Sequence, residues 1–230
     1  AIVEVLRGGF VESTHELDVV IADTQGKIVR SWGDHERRIF PRSSIKSLQA
    51  LPLVESGAAD AFNLTNKHLA LACSSHNGQP MHVEAARDLL KCAEVEETCL
   101  QCGAQLPKFS KDQAELAKQG LPASAIHNNC SGKHSGFLAF AAHAGIAADD
   151  YIKLDHSVQR EVADTLTSVI DEPHNADNHA IDGCSIPTFH IPIRKLATAY
   201  AKFGVGDDSS TKRSKAMIRL RSEERRVGKE

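Results

Sequence analysis

The sequence predicts an α+β protein with its helices massed against a sheet. Short β-prone runs crowd the first 32 residues, helical periodicity dominates thereafter, and no internal repeat or long linker interrupts the 230 residues. Strands followed by a run of helices is the α+β pattern.

Val3–Leu6, Leu17–Ala22 and Ile28–Trp32 read as strands, the last two joined by a hairpin over Asp23–Lys27 with Gly26 where positive φ is useful. Phe40-Pro41 breaks the chain, because proline biases its predecessor toward extended geometry. A helix begins near Ser43, with Ile45, Leu48 and Leu51 at helical spacing, and Pro52 is placed to kink or end it. Leu64–Cys73 and Pro80–Cys92 follow as helices; the second has proline near its start and Val83, Ala86, Leu89 and Leu90 on one face. Ser110-x-x-Gln113 reads as a capping box for a helix ending at Gly120. Ser135–Ala144 is an apolar helix stopped by Gly145. Asp155 or Ser157 is expected to cap the next, lined by Val158, Val162, Leu166, Val169 and Ile170, and Ile193–Phe203 closes at Gly204. Beyond Gly206 the composition turns polar and charged, and order is expected to fade.

Bulk properties exclude several functions. Hydrophobic content of 41%, charged content of 25% and a formal charge of -3 are those of an ordinary soluble domain. No basic field favours nucleic acid or acidic lipid, and no apolar run reaches bilayer length. The opening Ala1-Ile2-Val3-Glu4-Val5 lacks a signal peptide's basic-then-apolar pattern, so a cytoplasmic protein is expected. The six cysteines are then thiols rather than a disulfide framework, with Cys73 and Cys92 buried in helices and Cys99-x-x-Cys102 structural.

Three clusters carry chemistry. Asn129-Cys130-Ser131-Gly132-Lys133-His134 sets a thiol, an amine and an imidazole at a helix entrance, where backbone N–H groups stand free for ligands. Asp182-Gly183-Cys184-Ser185 supplies a distant second thiol. Zinc takes cysteine and histidine from separated loops, so Cys130 and Cys184 read as metal ligands or, alternatively, as two buried thiols. Arg42-Ser43-Ser44-Ile45-Lys46 sets Ser43 and Lys46 about one helical turn apart. A serine hydroxyl needs a base, and a lysine serves as one only after losing its proton, which burial and a neighbouring cation such as Arg42 promote. The spacing alone is unspecific: Ser209-x-x-Lys212 shares it, and a helix cap beside a solvated lysine has the same appearance. The loop Cys73–Gly78 offers a second hydroxyl, Ser75, which with His76 would make a proton relay; a cap for the helix from Pro80 is the alternative.

Taken together, Arg42–Ala50, the Ser75-His76-Asn77-Gly78 loop with His82-Val83-Glu84, the run Asn128–Gly136 and Asp182-Gly183-Cys184 closely resemble the asparaginase II family of the rhizobial type, in one order across residues 1–205. The resemblance implies a fold similar to serine β-lactamases and glutaminases, hydrolysis of L-asparagine to L-aspartate and ammonia, and a homodimer. Carried over by position, it implies Ser43 as nucleophile, Lys46 as its base, and Ser75 as part of a second Ser–Lys pair. It also implies that Cys130, Lys133 and Cys184 hold a zinc ion near the substrate, with Asp182 beside it and Arg42 and His134 lining the pocket. By charge, Asp182 suits the substrate's α-amine and Arg42 its carboxylate. The lysine partner of Ser75 and further strands of the family's sheet would lie downstream of residue 230, so this fold is expected to be incomplete and inactive alone. Arg221–Glu230 resembles the translation of a sequencing-adapter oligonucleotide at all ten positions, which limits the expected catalytic domain to residues 1–220. Two rival readings remain: a penicillin-interacting serine hydrolase, which also uses Ser-x-x-Lys, and a non-catalytic zinc-binding protein.

Overall fold

The computed structural model describes residues 2–206 and 211–224; Ser209 and the end of the adapter-like string, 225–230, lie outside the described residues. Two antiparallel hairpins open the chain. β1 (Ile2–Arg7) and β2 (Phe10–Glu16) turn through Gly8 and Gly9, both at positive φ, and are exposed along their whole length. The sequence reading lacks β2, whose polar centre Glu12-Ser13-Thr14-His15 masks it. β3 (Val19–Ala22) and β4 (Ile28–Trp32) form the expected hairpin. Asp23 closes it: Oδ1 accepts from the N–H groups of Gln25 at 3.0 Å and Lys27 at 2.9 Å, while Gly26 takes φ 82°.

The remaining strands are β5 (Arg38–Ile39), β6 (His179–Ile181), β7 (Pro187–Phe189) and β8 (Ile191–Pro192), with β5 paired to β8 and β6 to β7, all antiparallel. Among the described residues the strands pair only two by two. The class is α+β as predicted, but the helices pack mainly on one another, since no sheet is broad enough to carry them.

The helices are α1 (Lys46–Gln49), α2 (Leu51–Glu55), α3 (Ala58–Ala61), α4 (Asn66–Ala72), α5 (Pro80–Cys92), α6 (Ser110–Lys118), α7 (Ser131–Ala144), α8 (Ser157–Ile170), α9 (Ile193–Val205) and α10 (Lys212–Glu224). Pro52 does separate α1 from α2. The anticipated caps differ. α6 shows no capping box, because Gln113 Nε2 donates to Pro107 O at 2.7 Å instead. At α8, His156 Nδ1, rather than Asp155 or Ser157, accepts the Val158 N–H at 3.2 Å. Nor does order fade after Gly206 throughout: α10 buries Ala216, Met217 and Leu220 despite its charged composition. No helix among the described residues is long and apolar enough to cross a membrane.

Helix α7 is the axis of the body. Every residue from Ser131 to Ala141 is buried, and α2, α3, α4, α5 and α8 all contact it. Its first turn meets the end of α4 so closely that a Cβ on Gly132 would lie 2.6 Å from Leu71 O. The second polar cluster reaches this turn by topology. Asp182 and Cys184 sit in the turn between β6 and β7, closed by Asp182 N–H to Ile186 O at 2.9 Å and Ser185 N–H to Asp182 O at 2.9 Å. The β5–β8 pair then lays that segment beside Pro41 and Arg42.

Candidate active site

Lys46 begins α1 yet is only 1% exposed. Its Nζ contacts Ser75 Oγ at 2.7 Å, Ser74 O at 2.9 Å and Asn129 O at 3.5 Å. The amine thus joins the α4–α5 loop to the approach of α7. Ser43, one turn earlier, is exposed, and among the described residues its hydroxyl is not bonded to Lys46. The same-face pairing expected from Ser-x-x-Lys is absent because the side chain of Lys46 turns inward. Burial foremost, and Lys133 nearby, hold its ammonium below the usual lysine range, while Cys130 and Cys184 oppose that shift.

Ser75 and His76 diverge rather than forming a relay. His76 Nδ1 accepts the Gly78 N–H at 3.1 Å, so its Nε2 carries the proton and donates to Ser131 Oγ at 2.9 Å. Nor does this loop cap α5, whose N-cap is Gln79 with no side-chain bond.

Arg42 Nε donates to Asp182 Oδ1 at 2.8 Å, joining the Ser43 neighbourhood to that of Cys184. Arg42 takes φ 48° and Ser185 φ 75°, both uncommon for residues with a Cβ, and strain of this kind concentrates at functional sites. Burial would raise the Asp182 carboxyl, but the bonds from Arg42 and the Gly183 backbone, with the charge of Lys133, hold it below the usual carboxylate range.

Cys130, Lys133 and Cys184 are each 3% exposed. Lys133 Nζ donates to Cys184 Sγ at 3.1 Å, and Cys184 Sγ lies 3.6 Å from Asp182 Oδ2. The Cys184 thiol beside it, then Lys133 and Lys46, pull the Cys130 thiol down. Bonding to Cys130 pushes Cys184 up. Among the described residues no three His, Cys, Asp or Glu side chains converge as a metal-binding group. The converging donors here are two thiols and one amine, and sulfur with nitrogen is a set that suits zinc.

His134 is fully buried, with Nδ1 2.6 Å from Tyr151 Oη. Two further contributors have no role assigned from the sequence, although Asn128 opens the Asn128–Gly136 run. Asn128 accepts the Cys130 N–H at 2.8 Å and donates to Cys102 O at 2.8 Å, which fixes the start of α7. Tyr151 stands in an acidic loop that nothing local marks out.

Buried histidines make the fold acid-sensitive. Burial foremost pushes His76 down to about 3 and His134 to about 4, from 6.5. Below 6.5 the unfolded chain therefore binds protons that the folded one refuses, and stability falls with pH. At pH 5 each of these two residues should cost about 2 kcal/mol. A melting temperature that stays flat from pH 7 to 5 would contradict this.

The chain matches no curated protein. The family model of L-asparaginase II, however, matches residues 3–225, a span that includes the hairpins, the Lys46 and Ser75 pair and both thiols. With nearly its whole length matched, the chain belongs to the L-asparaginase II family.

Proposed function

We propose that this protein is an amidohydrolase that converts L-asparagine to L-aspartate and ammonia through a serine ester. The observation that carries the reading is the hydrogen bonding of Lys46. Nζ donates to Ser75 Oγ and to the carbonyls of Ser74 and Asn129, and burial disfavours its ammonium; in the amine form the two carbonyls would keep the N–H groups and the serine hydroxyl would face the lone pair. A buried amine without its proton is the base that acyl transfer needs.

In this reading Ser43 Oγ attacks the side-chain carboxamide, and its proton passes by way of the Ser75 hydroxyl to Lys46, whose Nζ lies 2.7 Å from Ser75 Oγ. Lys46 returns the proton to the departing nitrogen, which leaves as ammonia, and water then cleaves the ester. Ser75, bonded to the same amine, orients it. Arg42 and Asp182 neutralise each other across 2.8 Å, with Asp182 largely buried and Arg42 64% exposed, so the arginine is the partner free to shift. A zwitterionic amino acid would exchange with the pair, its carboxylate facing Arg42 and its amine Asp182, with His134 behind them. Cys130, Lys133 and Cys184 would hold a zinc ion, which when bound would supply a Lewis-acid charge beside the substrate. The homodimer belongs to the same proposal, supported by the exposed apolar side chains of Ile2, Leu6 and Phe10 on the β1–β2 hairpin.

Incubation of the full-length gene product with L-asparagine should release ammonia and aspartate in equal amounts, with nitrocefin left intact. No ammonia from L-asparagine would refute the reading, and nitrocefin turnover would favour a penicillin-interacting enzyme.

A further inference from the structure

The structure assigns to Tyr151 the task of fixing the ring of His134, and so of presenting a hydrogen-bond donor to the substrate; the last step rests on the amidohydrolase reading above. Tyr151 is wholly buried, and its oxygen accepts the Gln101 N–H at 3.1 Å. A backbone amide only donates, so the single phenolic proton needs an acceptor elsewhere. His134 Nδ1, at 2.6 Å, is the acceptor in reach. A ring nitrogen that accepts carries no proton of its own. The imidazole is therefore neutral, with its hydrogen on Nε2.

The other end of the ring gives this assignment a use. His134 is fully buried, and Nε2 has no hydrogen-bond partner among the described residues. A buried N–H without an acceptor costs about 1–3 kcal/mol. That cost is recovered if an acceptor arrives; the His134 ring already interacts with the Cys184 thiol, though beyond direct hydrogen-bond distance, which leaves Nε2 open to a closer acceptor. The acceptor we assign is an oxygen of the bound amino acid. The tyrosine itself is held firmly enough to set the ring: Gln159 Nε2 donates to its carbonyl at 3.0 Å, and its ring meets that of His134 edge-on at 74°. Tyr151 is thus a positioning residue that acts through His134.

Nitrogen NMR of the full chain labelled at histidine reads the tautomer directly, with the His134 signals identified by their loss in His134→Gln. The proton is expected on Nε2, with Nδ1 in the range of a hydrogen-bond acceptor. A proton found on Nδ1, or on both nitrogens, overturns the assignment. Tyr151→Phe is expected to mix the tautomers and lower kcat for asparagine about 10–100-fold, the usual cost of removing a partner that orients a site histidine. In the His134→Gln background, where the amide supplies a donor without help, the same substitution should cost less than about twofold, since coupling vanishes when the intermediary is gone. Equal losses in both backgrounds would mean that Tyr151 only supports the fold, and the proposal would fall. If Tyr151→Phe does not fold, the spectrum of the unaltered chain still decides. The spectrum also decides if asparagine is not hydrolysed at all, which separates failure of this inference from failure of the functional reading.

Discussion

Replacing Lys46 with methionine is expected to lower asparagine turnover by about 10²–10⁴-fold, the usual contribution of a positioned general base. The same change should leave the melting temperature unchanged or higher. Lys46 is 1% exposed, and its bonded partners are a hydroxyl and two carbonyls, none of them a carboxylate. A buried amine costs stability that its hydroxyl and carbonyl partners and the nearby Cys130 thiol only partly offset, whereas a methionine fills the same channel without desolvating a charge. Lost activity with retained stability is the signature of a group kept for chemistry. Ser43→Ala should match the loss of rate and also abolish any ester adduct on the protein, detectable by mass spectrometry after acid quench. A Lys46→Met enzyme within tenfold of the original would remove Lys46 from the reaction.

Gly132→Ala should destabilise the fold by about 3 kcal/mol, at the upper end of what overpacking costs. The new methyl would sit 2.5 Å from Leu71 Cγ and 2.6 Å from Leu71 O, and a backbone carbonyl cannot turn aside as a side chain can. A domain of this kind has only about 5–15 kcal/mol to lose. Gly136, one turn later on α7, is the control: its Cβ would meet Ala72 Cβ at 3.3 Å and Leu53 Cδ2 at 3.4 Å, a squeeze of a few tenths of an ångström. The gain in helix propensity, about 1 kcal/mol, should roughly offset that. Urea midpoints measure both, and equal shifts would refute the account.

The sequence carried α5, the β3–β4 hairpin and the convergence of two distant polar clusters, because each had a strong local signal. Helix bounds followed from periodicity and from glycine or proline at Pro80–Cys92 and at Gly145, but α7 begins at Ser131 rather than Ser135 and α9 runs through Gly204 to Val205. What escaped depended on direction rather than spacing. Ser43 and Lys46 do lie one turn apart, yet Arg42 at φ 48° begins that turn and the lysine points inward to Ser75. A spacing argument cannot give that orientation. Likewise Tyr151 matters through bonds to Gln101 and His134, far off in the chain, and a single polar residue in a loop gives no pattern to read. α10 was missed for the opposite reason: its charged surface outweighs a narrow apolar stripe of Ala216, Met217 and Leu220.

The burial of α7 on all sides through Ala141 has a further consequence. A rod sheathed by its neighbours cannot swing to greet an incoming molecule, so recognition at its tip depends on fit already built in. Enlarging or shrinking a side chain anywhere along that sheath should then register as altered turnover, even many ångströms from the amine and the thiols.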